Sequence, residues 1–414
     1  MVLMIDVAVI GAGSAGIAAT RLLRKAGLSV QLLEARSRVG GRAFTDHRSL
    51  GRPADLGAAW LHFADANPWT ALAREQGRRV IERDPGWGTR GLVAGLQPTP
   101  EESASTEAGF EACWSAVESA AESGLDVPVS TLLDNDPFRP RFDALMTWIM
   151  GVESHAVSSL DLARYADSKA DWAVAEGLGS VVAESARGLP VSLDTSVTAL
   201  DWSDDGVRIT STRGVFDARA AIITVPTAVL SRGTIRFTPA LPDTHANAIE
   251  CLPLGSNNKV FFRFDEADLP WPEPTHCLVH ADRSRTVHVG IRAAGQPLVM
   301  TYFGGELSRD LERRGELVAY ARDALAQCFG PALVSRVRAT LATGWDADPF
   351  AGGSYSAALP GSATQREVLA TAVSPRLYFA GEACDVHHYG TLYGAWRSGV
   401  RAAGRLIETL GSSP

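Results

Sequence analysis

The sequence predicts an α/β protein in which a Rossmann-type domain is interleaved with a second, α+β domain. Three observations support this fold class. A glycine-rich motif stands between an apolar strand pattern and a helix pattern near residue 11, strand patterns return after a long helical stretch, and a strand, a glycine, an acid and a helix follow one another near residue 380. A chain of 414 residues also exceeds one ordinary hydrophobic core, which favours two domains.

The first element is a strand of about residues 4–10 that runs into the motif G-x-G-x-x-G. Apolar residues after it repeat at helical spacing, and Gly27 is a suitable helix end. A strand–turn–helix of this kind lets backbone N–H groups approach a pyrophosphate at the positive end of a helix. The motif therefore predicts a dinucleotide-binding loop made of Gly11, Gly13, Ser14, Ala15 and Gly16.

The second strand ends at Glu34, 23 residues after Gly11. A carboxylate at this place accepts hydrogen bonds from an adenosine ribose and repels a 2′-phosphate. The cations and small residues of the following R-x-G-G-R run suit a pyrophosphate. This segment adds Glu34, Ala35, Arg36, Gly41 and Arg42 to the predicted dinucleotide site.

Composition narrows the classes of partner. A formal net charge of −8 argues against a nucleic-acid partner. No apolar window of membrane-spanning length occurs, and a first strand at about residue 4 leaves no room for a signal peptide, so we expect a cytoplasmic protein without a membrane partner. The five cysteines are scattered without C-x-x-C spacing, so no metal site is predicted. The sequence leaves the oligomeric state open.

The middle of the chain changes pattern twice. Residues 68–185 are mostly helical in pattern, with an acidic helix face formed by Glu107, Glu111, Glu118 and Glu122. A solvated face is the favoured interpretation, and steering of cations is the alternative. Strand patterns return at 191–225, 259–264, 287–291 and 298–303; helical pattern covers 307–329, and the chain closes with a strand at 377–380 and a helix from about 391 to 410.

Two further blocks indicate a family. The segment D-L-G-A-A-W of residues 55–60 follows the first motif, and F-A-G-E of residues 379–382 lies near the C-terminus. In this order the blocks resemble the flavin-containing amine oxidase family, which includes monoamine and polyamine oxidases, over nearly the whole chain. The resemblance implies FAD, held non-covalently because Ser354 stands where some members attach FAD through a cysteine. It further implies an FAD-binding domain of 1–67, 186–252 and 343–414, and a substrate-binding domain of 68–185 and 253–342.

The resemblance also assigns residues to the cofactor. Val197 corresponds to a backbone contact on the adenine side, Glu382 to a ribityl contact, and Thr391 to the start of a helix that points at flavin N1 and O2. The positive end of that helix would stabilise charge at N1. The residues implied in this way are Gly57, Ala58, Ala59, Trp60, Val197, Trp345, Gly381, Glu382, Thr391 and Leu392.

Four residues are implied in reactivity. Lys259 matches the lysine that holds a water against flavin N5, and Tyr355 an aromatic ring that guides the amine. His62 matches a histidine at the border of the substrate channel in polyamine oxidases, and Thr391 replaces the second aromatic wall of monoamine oxidases. The alternatives are a surface lysine, a core tyrosine and a structural histidine. Phe63 replaces a glycine that is usual there, which predicts a narrower or differently shaped channel near His62.

The implied reaction is oxidation of the carbon alpha to an amine nitrogen in a polyamine or monoamine, with hydride transfer to flavin N5. The imine then hydrolyses, and O₂ becomes hydrogen peroxide. Within the superfamily, an L-amino-acid oxidase would need an arginine clamp from 251–342, and a flavin desaturase would have no use for the Lys259 block. A chromatin-type demethylase or interaction scaffold and a non-catalytic FAD-binding protein are alternatives of other classes.

Overall fold

A computed structural model describes residues 4–83, 92–93, 96–271, 273–280 and 286–411. Its helices are α1 (Ser14–Lys25), α2 (Pro68–Glu75), α3 (Pro100–Glu122), α4 (Val129–Leu132), α5 (Arg139–Ile149), α6 (Ser159–Arg164), α7 (Leu178–Ser185), α8 (Thr227–Ser231), α9 (Asp243–Cys251), α10 (Gly305–Arg314), α11 (Leu317–Phe329), α12 (Pro331–Val334), α13 (Gln365–Leu369) and α14 (Leu392–Gly411). Short 3₁₀ turns occur at Ser154–Ala156, Glu266–Asp268, Ala293–Gly295 and Glu382–Cys384.

The strands belong to two large sheets and two short pairs. They are β1 (Ile5–Ile10), β2 (Val30–Leu33), β3 (Thr45–Asp46), β4 (Ala54–Asp55), β5 (Val80–Ile81), β6 (Leu92–Val93), β7 (Ala173–Val174), β8 (Val191–Ser192), β9 (Val197–Asp201), β10 (Val207–Ser211), β11 (Gly214–Ile223), β12 (Arg236–Thr238), β13 (Asn257–Arg263), β14 (Thr275–His280), β15 (Thr286–Ile291), β16 (Leu298–Gly304), β17 (Ala339–Ala342) and β18 (Leu377–Phe379).

The predicted Rossmann unit is present at the N-terminus. Strand β1 lies parallel to β2, and α1 connects them. The helix packs very close to the turn that precedes it. A Cβ added at Gly16 would lie only 1.9 Å from the carbonyl oxygen of Gly11. Only glycine fits there, which is the reason for the third glycine of the motif.

The first sheet has the order β12-β9-β10-β11-β1-β2-β8. The long strand β11 pairs with different strands along its two halves. Its first half pairs antiparallel with β10, and its second half pairs parallel with β1 and with β18. Since β18 follows residue 376, this pairing brings the C-terminal segment beside the N-terminal glycine loop, where α14 packs against α1.

The second sheet has the order β17-β13-β16-β15-β14-β6 and is antiparallel except between β14 and β6. Side chains alternate between its faces. Val260 and Phe262 belong to a hydrophobic core formed with α10 and α11, whereas Lys259 and Phe261 face a large cavity. The helical pattern predicted for 307–329 proves to be two helices, because Gly315 adopts a left-handed conformation (φ 69°) and ends α10.

Helices α3 to α6 pack around one hydrophobic cluster, to which Ala357 and Tyr389 also contribute. Phe142 and Met146 of α5 lie in its core with Val117 of α3. The side-chain amide of Asn257, at the start of β13, donates to the carbonyl oxygen of Thr147 (3.0 Å) and so ties α5 to the sheet. Within the described part of the chain, no helix is both long and apolar enough to cross a membrane.

Candidate active site and cofactor cleft

One cavity of about 1320 Å³ extends from the glycine loop after β1 to the open face of the second sheet and to α3. Gly16 alone among the predicted site residues does not line it, because it packs against Gly11. The residues that line it are Gly11, Gly13, Ser14, Ala15, Glu34, Ala35, Arg36, Gly41, Arg42, Gly57, Ala58, Ala59, Trp60, His62, Val197, Lys259, Trp345, Tyr355, Gly381, Glu382, Thr391 and Leu392. The fold thus brings together residues that are up to 381 positions apart.

The loop after β1 leaves room for a phosphate. Gly11 has φ +104°, which a residue with a side chain rarely adopts, and a Cβ at Gly13 would meet nothing within 4 Å. The buried carboxylate of Glu34 accepts hydrogen bonds from the backbone N–H groups of Ala12 (2.7 Å) and Arg36 (2.9 Å). Burial raises the pKa of Glu34, although these hydrogen bonds oppose the shift.

Two helices begin at this cavity. The hydroxyl of Ser14, at the start of α1, donates to the carbonyl oxygen of Leu392 (2.8 Å), at the start of α14. Thr391 caps α14: its hydroxyl accepts from the N–H of Gly394 (2.9 Å) and donates to the carbonyl oxygen of His388 (2.6 Å). The described contacts of Thr391 are therefore those of a helix cap, and its place in a substrate wall stays a prediction.

Glu382 lies at the centre of a buried polar network. It accepts hydrogen bonds from the hydroxyl of Ser356 (2.7 Å) and the N–H of Gly390 (2.9 Å), and pairs with Arg42 (3.1 Å). Burial opposes its ionisation, but the charges of Arg42 and Arg366 and these hydrogen bonds hold the pKa of Glu382 below its ordinary value. Glu382 is therefore an anion within the cavity wall.

Arg366 extends this network into the interior. Its guanidinium is fully buried and forms a bidentate pair with Asp161 (2.7 and 2.8 Å). It also donates to the hydroxyl of Ser356 (2.7 Å), the group that donates to Glu382. The network thus connects the helical bundle to the start of α14.

Lys259 is buried on the cavity face of β13. Its ammonium donates to the backbone carbonyl oxygens of Asp55 (3.0 Å) and Gly57 (2.5 Å). An ammonium has three N–H groups, and the hydrogen bonds among the described residues account for two. Burial lowers the pKa of Lys259 to about 8, and the charge of Asp55 opposes part of that shift. Lys259 is not a surface lysine.

Aromatic groups form the wall beside Lys259. The hydroxyl of Tyr355 donates to the carbonyl oxygen of Trp148 and lies 3.0 Å from the hydroxyl of Tyr302. Burial raises the pKa of Tyr302 to about 12 and the pKa of Tyr355 well above its ordinary value, so both phenols are neutral. The indole N–H of Trp345 donates to the carbonyl oxygen of Leu56 (3.1 Å), which fixes the ring against the 55–60 block.

His62 and Phe63 occupy different environments although they are adjacent. The His62 ring lines the cavity, and its Nδ1 lies 2.6 Å from a carboxylate oxygen of Asp171. Phe63 is buried outside the cavity lining and packs edge-on against His388. It has φ +55°, a left-handed conformation that explains why glycine is usual there. Phe63 itself is not among the residues that line the cavity, and the narrower or differently shaped channel near His62 stays a prediction.

Several cavity residues were not predicted from the sequence. The pattern of β16 alternates and could have placed Met300 and Tyr302 on one face, opposite Val299 and Thr301. His288 lies in the predicted strand 287–291, where its alternation with Val287 and Val289 could likewise have placed it on the cavity face. Asp171, Trp148 and His276, which stacks on His288, had no such signal, since they lie in a loop, at a helix end and in a strand that the sequence pattern did not indicate. Within the ranges that the structure describes, no group of three or more His, Cys, Asp or Glu side chains could hold a metal ion.

These residues fit FAD. The open space at Gly13 and the helix start at Ser14 suit a pyrophosphate, Glu34 suits a ribose, and the cavity continues for a further ring system past the start of α14 to Lys259 and Tyr355. A site for a smaller phosphate ligand would not need the distant wall formed by Trp345 and Glu382.

Comparisons with known proteins agree with this geometry. A rice (Oryza sativa subsp. japonica) protein named polyamine oxidase 4 is 30% identical over 96% of this chain and 88% of its own length. Lysine-specific histone demethylase 1 homolog 2 of Arabidopsis thaliana is 28% identical over 97% of this chain but only 58% of its own length. The solved structure of cyclohexylamine oxidase from Brevibacterium oxydans IH-35A has a TM-score of 0.83 at 20% identity, covering 99% of this chain and all of that one, which confirms the predicted fold class.

Family models match at both the N-terminal and the longer C-terminal part. The NAD(P)-binding Rossmann-like domain matches residues 9–75, and the flavin containing amine oxidoreductase matches residues 138–407. The second match covers well over half of the 414 residues. The chain therefore belongs to the flavin-containing amine oxidoreductase family, and its cofactor is FAD.

Proposed function

We propose that this amine oxidase acts on a small amine that carries a second cationic nitrogen, and that O₂ accepts the electrons. One observation carries the substrate class: Glu107, Glu111 and Glu118 of α3 line the same cavity as Lys259 and Tyr355. None of these three acids forms an ion pair with a side chain in the described ranges. They border the cavity at its exposed end, where they would attract a distant ammonium.

Bound FAD supplies the two-electron acceptor for the hydrogen that leaves the carbon alpha to the amine nitrogen. The glycine loop, Glu34 and Glu382 would hold that group, and the start of α14 would supply partial positive charge to the cavity wall, which suits developing negative charge. Lys259 adds a polar N–H donor to the same wall. The observation that supports these roles is that the groups line one cavity.

The reacting nitrogen needs its lone pair, so it must be neutral when the C–H bond breaks. Tyr302 and Tyr355 provide neutral phenol groups there, since burial raises the pKa of both. Aromatic faces attract an ammonium on its way in and then pack against the neutral amine. The acids of α3 are at the other end of the cavity and favour charge on the second nitrogen, which stays protonated.

The amino-acid oxidase alternative does not find a free clamp among the described residues of 251–342, the range in which we expected it. Within 251–342, Arg292 is the described arginine that lines the cavity. Its guanidinium pairs with Glu266 and donates to the carbonyl oxygens of Trp271 and Leu269. Binding a substrate carboxylate would require those contacts to break.

Anaerobic mixing of the yellow holoenzyme with a diamine, a monoamine of equal length and an L-amino acid tests the proposal. We expect bleaching of the flavin absorbance to saturate at the lowest concentration with the diamine. Absence of bleaching by every amine would contradict the proposed function, and equal saturation by diamine and monoamine would contradict the substrate class.

Substitution of one glutamate of α3 tests whether these acids attract the second ammonium. Glu111→Gln removes a cavity charge, and we expect KM for the diamine to rise about threefold at low ionic strength, the effect of a screened exposed charge, with KM for the monoamine unchanged. Glu122→Gln is the matched control, because it lies on the same helix outside the cavity lining.

A further inference from the structure

A pair of backbone hydrogen bonds places His62 opposite Asp171. Leu61 and Trp172 form an isolated antiparallel bridge, in which each N–H donates to the other residue's carbonyl oxygen (2.7 and 3.2 Å). In antiparallel register, the residue after Leu61 faces the residue before Trp172. The short distance of 2.6 Å between His62 Nδ1 and Asp171 Oδ1 therefore follows from the backbone rather than from a chance side-chain rotamer.

The backbone of His62 is held from its other side as well. The side-chain amide of Asn67 donates to the carbonyl oxygen of His62 (2.8 Å), while the carbonyl oxygen of the same amide accepts from Trp69 N–H (3.0 Å) and caps α2. Asn67 is buried, so both hydrogen bonds are protected from water. The His62 ring can thus turn little, and its side chain remains about one-third exposed toward the cavity.

The contact with Asp171 decides which ring nitrogen carries the hydrogen. An ionised carboxylate only accepts hydrogen bonds, so the neutral imidazole must donate from Nδ1. Nε2 is then left with a lone pair. Because the ring lines the cavity, this lone pair belongs to the wall that the substrate meets.

We propose that Asp171 is a positioning residue that fixes the tautomer of His62, so that Nε2 accepts an N–H from the substrate amine. The inference rests on the proposed function and deepens it. An amine held through its N–H keeps its own lone pair free for oxidation at the neighbouring carbon. His62 with the opposite tautomer would present an N–H there, compete for that lone pair, and hold the nitrogen unproductively.

The loop that carries Asp171 offers a matched control. Asp167 also lines the cavity, but its carboxylate accepts from the N–H of Lys169 (2.8 Å) within the same loop. Asp167→Asn therefore removes an acid of the same loop and the same cavity without changing a partner of His62.

The first test reads the tautomer without substrate. In ¹⁵N-histidine-labelled holoenzyme at pH 8, the His62 signals, identified by their absence in His62→Gln, should show protonated Nδ1 and unprotonated Nε2. In Asp171→Asn the new amide can donate to Nδ1, and we expect the two nitrogens to exchange roles. An unchanged tautomer in Asp171→Asn would overturn the proposal, whether or not any amine is oxidised.

The second test reads the amine. We expect Asp171→Asn to raise KM for the best amine about tenfold, the loss of roughly one hydrogen bond, with kcat changed less. Asp171→Glu should restore most of the loss, and Asp171→Asn should add nothing in a His62→Gln background. Asp167→Asn should raise KM no more than about threefold, as expected for loss of an exposed cavity charge. Additive effects of the two substitutions, or a tautomer exchange without a change in KM, would overturn the proposal. Asp171→Glu keeps the test decisive if Asp171→Asn does not retain FAD.

Discussion

The two ends of the cavity are built in different ways. At the cofactor end, Gly11 and residues 13–15 form part of the wall, and the polar side chains there also hold the fold together, as Ser14 and Thr391 do. At the substrate end, single side chains on alternate positions of the second sheet face the cavity, while their neighbours form the core. Behind the cofactor end, at Gly16, the fold has no room for an added atom, whereas we expect the substrate end to exchange side chains with little effect on the fold.

The largest expected effect comes from one methyl group at the cofactor end. Gly16→Ala would place Cβ 1.9 Å from the carbonyl oxygen of Gly11. We expect overpacking to cost about 3 kcal/mol or more of unfolding free energy and to abolish retention of FAD. The measurements are urea unfolding and the flavin absorbance after gel filtration.

Gly404→Ala is the matched control for that substitution. It is also a helical glycine, and a Cβ there would meet nothing within 4 Å. We expect it to stabilise the fold by about 0.5–1 kcal/mol, since alanine favours a helix more than glycine does. Equal behaviour of the two variants would contradict the close packing of α1 against Gly11.

The buried pair of Arg366 and Asp161 should give the next largest effect. Arg366→Met leaves the Asp161 carboxylate without its buried partner, and we expect a loss of about 3–5 kcal/mol in the free energy of urea unfolding. Arg208→Met, which breaks an exposed pair with Asp217, should leave the urea midpoint unchanged. A small loss for Arg366→Met would mean that the network does not hold the start of α14.

Lys259→Met should mainly affect activity. We expect reoxidation of bound FAD by O₂, followed by stopped flow, to slow roughly 10²-fold, the effect of removing one positioned donor. Lys169→Met, at an exposed lysine of the same cavity, should reoxidise normally. An unchanged rate for Lys259→Met would contradict the predicted role.

The pKa of Lys259 also fixes the direction of the pH dependence. Folding lowers this pKa from 10.5 to about 8, so the folded chain disfavours the charged form. The resulting cost in stability is fully present below pH 8 and disappears as pH rises toward 10.5. As pH rises through about 8, Lys259 loses its ammonium proton. We therefore expect the rate of FAD reoxidation to decline over this pH range in the wild type and to stay flat in Lys259→Met.

The sequence predicted the cofactor end better than the substrate end, for a physical reason. The loop from Gly11 to Gly16, Glu34 and the long strands depend on neighbours in the chain, and their patterns are local. Lys259 and Tyr355 were found through the family resemblance rather than through spacing. Asp171 was not found, because its contact with His62 depends on a two-residue bridge between distant loops. The domain limits stay a prediction.

The hydrogen bond from Ser14 to Leu392 has a consequence for synthesis of the chain. The glycine loop leaves the ribosome long before β18 and α14, which complete its surroundings. Until those residues have emerged, the nascent chain carries a glycine loop that lacks part of its wall. Firm capture of FAD must therefore wait until α14 has left the ribosome, and a product shortened before residue 392 should emerge without its yellow colour.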